Sequence, residues 1–509
     1  MSVYQHDKAM PNRAVPPYHW YALSILVLVY FLNFVDRQIL SILANDIKAD
    51  LGLDDADLGF LYGTAFAIFY ALFGIPLGRL ADNWHRVRLL SIGLLLWSGM
   101  TALSGMARNG ATLAVARIGV GVGEATANPC AYSLIGDWFP KRLRGTAIGI
   151  YSSGLFVGSG LSLLIGGTVV EKWNSAFPGG APLGLAGWQA AFLAVGLPGV
   201  ILAAVVMSLR EPVRPQPAER IKASPWLVLL QDCIDVIPPL TLIGAAKRGR
   251  RALLGNCASL AGVVLLAWLV SFLTGNQEQF WLLGLGVYAV MSWAMALKHR
   301  DAETFRFTWG SPAFMGIVVA YGAICFVGYS VTYWAAPFAE RSFAVDKATL
   351  GWMLGAPAAV GGFLGVIGGG RLADILARRI PIGRAMVLLI GLLVPVPLIL
   401  IGYGHVSATT FYIISFLLQL ATSTALSASA AASQSLVKPH MRGTATAIFL
   451  IGTTLIGLSL GPFTAGYVST ATGALGLGVK ATLVAVPFGL LALFIACQSI
   501  PKTARQLGE

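Results

Sequence analysis

Four charged side chains fall inside stretches otherwise fit to cross a membrane: Asp36 and Arg37 in one, Arg117 and Glu124 in another. An ion near a bilayer centre costs about 2.5–3.5 kcal/mol on insertion scales, so such groups pair, face a cavity and handle protons or anions. The carboxyls can take up protons, and the guanidiniums can grip an anionic head group through several donors at once. With all four ionised the set is neutral. Protonating either acid leaves a net positive charge in a low dielectric, which an anionic ligand or a moving arginine must offset.

Their spacing gives each pair a common face. Asn33, Asp36 and Arg37 stand at i, i+3, i+4, and Arg117, Gly121, Glu124 and Asn128 at i, i+4, i+7, i+11. At ~1.5 Å per residue, Arg117, Asp36 and Glu124 lie roughly 9, 12 and 20 Å below the ends of their spans on one side of the membrane. They form one cluster if the two helices face each other, and Gly119 and Gly123 allow close helix contact on a neighbouring face. Glu124, with Asp36, is expected to respond to protons, because burial favours the neutral carboxyl while a nearby arginine opposes it. Arg37 and Arg117 are expected to alternate between these acids and a substrate head group. A static salt bridge joining two helices is the competing reading.

The elements that must position these groups are transmembrane helices. Of 509 residues 56% are apolar and only 11% charged, against about a quarter charged in an average soluble protein, and the mean hydropathy is +0.74. Apolar runs long enough to cross a roughly 30 Å core occur at 20–44, 57–77, 89–107, 111–137, 145–170 and 187–209, then at 253–274 and 279–297, then at 312–338, 349–370, 382–403, 408–436, 443–470 and 479–500. The reading is an all-α membrane protein of six spans, an inserted pair and six more. The alternating short segments of a β-barrel are absent.

Lysine and arginine set the orientation, since cytoplasmic loops retain them. With an inner N-terminus, 27 of the 35 basic residues fall on cytoplasmic segments, six on the other side and two, Arg37 and Arg117, within spans. Both termini are therefore expected in the cytoplasm, with the chain multi-pass in the inner or plasma membrane. The net charge of +13 thus reads as membrane topology, and no nucleic-acid partner is expected. The opening 18 residues are polar, and the apolar run after them is too long for a cleaved signal, so removal of a targeting peptide is not expected. The five cysteines have no paired spacing, and the six histidines fall in termini or loops without metal-ligand spacing. No metal, cofactor or enzymatic activity is expected.

Gly78-Arg79-Leu80-Ala81-Asp82 recurs as Gly370-Arg371-Leu372-Ala373-Asp374, and Arg144-Gly145-Thr146-Ala147 as Arg442-Gly443-Thr444-Ala445. Two matches in order, each after an equivalent span, indicate a duplicated six-helix unit. With these repeats the chain resembles the major facilitator superfamily, whose signature between helices 2 and 3 is met by Gly78, Leu80, Ala81, Asp82, Arg86 and Arg88. Asn83 and His85 depart from it, standing where arginine and a second glycine are usual. The resemblance implies two pseudo-symmetric bundles of six helices, at 1–209 and 312–509. Between them lies a cytoplasmic linker, 210–311, holding the inserted pair at about 253–297. It also implies a cytoplasmic gate at Asp82 with Arg86 and Arg144, repeated at Asp374 with Arg378.

Asn33-Phe34-Val35-Asp36-Arg37 and Arg117-Ile118-Gly119-Val120-Gly121-Val122-Gly123-Glu124-Ala125 resemble the spinster branch, linked to transport of sphingosine phosphate and lysophospholipids; related organic-anion symporters carry looser versions. The matching spans of the second half hold no charge, offering Tyr321, Phe326, Tyr329, Tyr333 and Trp334 in one and Gln419, Thr422, Ser423 and Ser427 in the other. A cavity lined by Asn33 and Asn128 on one side and Tyr329, Tyr333 and Gln419 on the other suits an amphiphile with a charged head. The expected function is proton-coupled secondary transport of a lysolipid- or sphingoid-like substrate by a monomer among membrane lipids. A small organic anion is the rival cargo, and a receptor or enzyme on the same fold the rival class. The linker from Trp226 to Ile243 is expected on the inner leaflet, where its basic flanks favour anionic lipid, or as a plain tether. The inserted pair is expected to be a lipid-facing hairpin without a transport role.

Overall fold

The computed structural model describes residues 15–178, 181–212, 224–343 and 345–507. The opening polar residues up to position 14, and the proline-bearing linker stretch 213–223, lie outside the described residues. Every regular element among the described residues is helical, and thirteen helices are long and apolar enough to cross a membrane.

The first half comprises α1 (Pro17–Leu51), α2 (Asp55–Asn83), α3 (Arg86–Ser104), α4 in two pieces (Gly110–Glu124 and Ala127–Trp138), α5 (Lys141–Ala176) and α6 (Gly187–Met207). The linker forms α7 (Pro225–Val236) and α8 (Leu240–Lys247), and the inserted pair α9 (Arg250–Thr274) and α10 (Gln277–Arg300). The second half repeats the first as α11 (Pro312–Ser342), α12 (Lys347–Ala377), α13 (Gly383–Gly402), α14 (Ala408–Ser435), α15 (Pro439–Thr472) and α16 (Leu475–Leu507). We call the face where α1 begins proximal and the opposite face distal.

Local chemistry sets the ends and the breaks. Proline in the first turn opens α1, and Gly52, at φ 66, closes it in the left-handed conformation that glycine adopts freely. Asp54 and Asp57 form a reciprocal capping box at the start of α2, as Asn109 and Thr112 do for α4. The break in α4 follows from Pro129, which has no N–H to offer the carbonyl four residues back at Ala125. Glu124 consequently sits at a helix end, beside the interrupted turn. A π-helical turn, Thr453–Ser459, interrupts α15 just before Gly461-Pro462.

Glycine lets α5 and α12 meet backbone to backbone across the halves. A Cβ on Gly351 would lie 2.8 Å from Leu164 Cα, and Gly160 and Gly355 face each other directly. Hydrogen bonds between the halves gather at the distal end: Gln38 Nε2 donates to the Thr332 carbonyl (3.0 Å), Ser41 Oγ to that of Tyr333 (2.5 Å) and Thr64 Oγ1 to that of Ser459 (2.9 Å).

The inserted pair departs from expectation. The outer helix, α9, does face away from the bundle, with 11% of its apolar window buried against 72% for α1 and α11. The inner helix, α10, instead lies along the seam between α2 and α15. A Cβ on Gly286 would meet Ile68 Cδ1 at 2.7 Å and Leu455 Cδ2 at 3.3 Å, and Phe280 stands edge-on to Phe463 at 5.7 Å. Asp232 of α7 pairs with Arg79 at the end of α2, Trp226 packs on Trp84 at 5.3 Å, and Thr241 Oγ1 donates to Tyr288 Oη at 3.2 Å. Linker and hairpin together brace the two halves. Hydrophobic patterning could not reveal this, because apolar side chains suit lipid and a neighbouring helix equally well. Gly286→Leu is expected to cost about 1–3 kcal/mol through overpacking and to lower the melting temperature in detergent. Gly262→Leu on α9, where a Cβ meets nothing within 4 Å, should leave that temperature unchanged.

Candidate functional site

The four membrane charges do meet. Arg37, Asp36, Arg117 and Glu124 are 9, 1, 0 and 1% exposed; Asp36 has Glu124 and Arg117 near it, and Glu124 has both arginines. Arg37 Nη2 donates to Glu124 Oε2 at 2.5 Å, a charge-assisted hydrogen bond. The guanidinium lies 4.9, 4.5 and 5.2 Å from the ring centres of Phe34, Phe66 and Tyr70. This aromatic sleeve removes water and contributes cation–π attraction, of the order of 2 kcal/mol for a desolvated contact. Arg117 has no such fixed partner. Its Nη1 reaches the Asp36 carbonyl at 3.4 Å and its carbon sits 5.6 Å from the Phe66 ring centre. The arginines are therefore inequivalent, Arg37 clamped and Arg117 held loosely in the same pocket.

Of the other expected lining residues, Asn33 is turned toward Glu124 and Tyr329 lies in the neighbourhood of Arg37. Asn128 accepts from Tyr151 Oη at 3.1 Å, and its amide reaches Tyr70 Oη at 3.5 Å, so it joins the charged cluster through the ring beneath Arg37. Gln419 is half-buried, accepting from Thr332 at 3.3 Å and donating to Ser423 at 3.2 Å. Tyr333 is wholly buried and stacks on Tyr62 at 4.1 Å, which places it in the distal closure.

At the proximal face Asp82, Arg144, Asp374 and Arg378 are exposed. Arg86 is 1% exposed and belongs to the first half: it donates to Asp137 at 2.5 Å, Ser133 at 2.8 Å and Glu211 at 2.8 Å. It ties the start of α3 to the end of α4 and to the chain leaving α6.

Two sets of residues escaped the sequence reading. Tyr30, stacked on Tyr151 at 4.3 Å, and Tyr70 extend the lining; helical spacing from Asn33 and Arg37 could have found Tyr30. The second set closes the distal face. Asp55 accepts from Lys48 (2.6 Å), both Nη atoms of Arg341 (2.7 and 2.8 Å) and Ser469 (2.5 Å). Lys347 pairs with Asp46 and, at 3.0 Å, with Glu340, which also accepts from Asn45 at 2.7 Å. Nothing in the sequence near Asp55 points to a partner 286 residues away.

Two bundles of six helices, joined at one face and enclosing ionisable groups midway, define a membrane transporter. Residues 26–335, more than half of the chain, match the model of the Major Facilitator Superfamily, and the chain belongs to that family. Within it the chain is similar to the spinster branch. A crystal structure of a bacterial homologue of the human lysosomal transporter spinster, inward-facing and unoccupied, matches with a TM-score of 0.73 at 25% identity, covering 96% of this chain and 99% of that one. An MFS-type efflux pump of Mycolicibacterium smegmatis is 28% identical over 464 residues, 91% of this chain and 86% of its own. A probable L-galactonate transporter of Escherichia coli is 31% identical over 182 residues, 36% of this chain and 37% of its own.

Proposed function

We propose that this protein is a proton-coupled secondary active transporter that moves an amphipathic, lysolipid- or sphingoid-like substrate by alternating access. The observation that carries this reading is the Arg37–Glu124 bond, buried among aromatic rings of the first half and facing a second-half wall with no charge of its own. Protonating Glu124 discharges one partner of that bond and leaves Arg37 an excess cation in a low dielectric. An anionic head group would neutralise it, while the aromatic and aliphatic wall takes the tail. Proton and head group thus act on the same guanidinium.

With the N-terminus in the cytoplasm, the distal closure makes this the inward-facing state. Asp82 with Arg144 and Asp374 with Arg378 are then the charges that come together when the cytoplasmic side shuts, and both termini are cytoplasmic. We assign the protein no cofactor and no nucleic-acid partner, and take the monomer as the working unit.

Proteoliposomes with an imposed pH gradient test the reading. Accumulation of a lysophospholipid or sphingoid phosphate against its concentration, collapsed by a protonophore, is expected; equilibration unaffected by the gradient overturns proton coupling. Symport of a small organic anion is the second reading, favoured by the match to a probable L-galactonate transporter and by two arginines able to hold a carboxylate. Competition in detergent separates the two, since galactonate displacing a bound lysolipid analogue at lower concentration than unlabelled lysolipid would favour the sugar acid.

A further inference from the structure

Asp36 does not point where its neighbour Arg37 points. Its carboxyl is turned toward α3, where Trp97 and Thr101 face it, and the charged groups facing it are Glu124 and Arg117 of α4. Trp97, Ser98 and Thr101 are each 0% exposed. Close helix packing seals them in: a Cβ on Gly123 of α4 would sit 2.8 Å from the Trp97 backbone nitrogen, and Gly199 of α6 faces the Ser98 hydroxyl. Yet neither Asp36 oxygen completes a hydrogen bond, nor do Trp97 Nε1, Ser98 Oγ, Thr101 Oγ1, or Arg117 Nε and Nη2. Orphaned polar atoms are uncommon in a buried core and costly there, and here those of Trp97, Thr101 and Arg117 gather around one carboxyl. The indole and guanidinium nitrogens can only donate, whereas a hydroxyl can donate or accept.

We propose that Trp97 and Thr101 are positioning residues for Asp36: a small shift of α3 or of the carboxyl closes their hydrogen bonds, so that α3 sets how readily Asp36 takes a proton. The two act differently. The Trp97 N–H serves only an acceptor and so favours the ionised carboxylate, while the Thr101 hydroxyl can also receive the acid's own proton and serves both forms. The inference rests on the proton-coupled reading above, with Arg117, the loosely held arginine, as the competing partner of Asp36.

Infrared titration of the purified protein tests it, taking as the Asp36 signal the carboxyl band lost in Asp36→Asn. Trp97→Phe keeps the ring and loses the N–H. It is expected to move half-titration of that band by about one pH unit toward higher pH, tenfold in proton affinity, and the pH profile of substrate exchange should move with it. Thr101→Val, nearly isosteric, should move it in the same direction by less, and carries the test alone if the Trp97 variant does not fold. On the Asp36→Asn background Trp97→Phe should leave the pH profile of exchange unchanged. A band unmoved in every folded variant overturns the positioning role. A band that moves while transport ignores the pH gradient upholds the positioning role and overturns proton coupling instead.

Discussion

Glu124→Gln is expected to lower gradient-driven accumulation in proteoliposomes by at least about tenfold while sparing substrate binding in detergent. The glutamine keeps the shape of the side chain and an acceptor for Arg37 Nη2, now 2.5 Å from Glu124 Oε2, but can no longer gain or lose a proton. Removing one charge of a buried pair costs about 3–5 kcal/mol when the other is left uncompensated. Here the retained acceptor and the rings around Arg37 soften that loss, so a folded variant with a lowered melting temperature is expected. Gradient dependence equal to that of the unmodified protein would remove Glu124 from coupling and leave it a structural tie between α1 and α4.

Opening the distal lock has the second largest expected effect. Asp55 gathers Lys48, Arg341 and Ser469 from three helices, two of them in the second half. Asp55→Asn would leave two cations around a neutral amide that repels them with its own donor. Arg341 and Lys48 are 29 and 37% exposed, so solvent screens part of the loss, and about 1–2 kcal/mol is a reasonable scale. That is a shift of about five- to thirtyfold in the balance between distal-closed and distal-open states. Spin labels at Ala49 and Ala471, exposed in the last turns of α1 and α15 on the distal face, should report a longer separation in a larger fraction of molecules. An unchanged distance distribution would mean that the glycine-mediated contact of α5 with α12 holds the face shut without the ion pairs.

Much of the architecture was legible because a bilayer permits few solutions. Helices must satisfy their own backbone, so the apolar runs gave the spans, and the recurring Gly-Arg-Leu-Ala-Asp pentapeptide gave the duplication. The expected fourth span, 111–137, is instead two helices of 15 and 12 residues, neither among the thirteen long enough to cross alone. The interruption beside Glu124 follows from Pro129, whose effect on the carbonyl of Ala125 is local. The charged cluster was legible for the same energetic reason: Asp36, Arg37, Arg117 and Glu124 could not be left facing lipid. Which acid each arginine takes was not legible. Helical spacing places side chains on a face to within a turn, and choosing between Glu124 and Asp36 as the partner of Arg37 needs accuracy of an ångström or so.

Local chemistry written along the chain thus determined the helices, their duplication and the four ions that must meet inside. Tertiary structure alone decided the rest: that Asp36 looks toward Trp97 and Thr101, that Asp55 finds Arg341, that Arg86 is spent within its own half, and that α10 braces α2 against α15. Each of these joins residues far apart in the chain whose types are common and whose neighbourhoods carry no periodic mark. Their pairing is fixed by the rotation and depth at which whole helices pack, and that is a property of the assembled bundle.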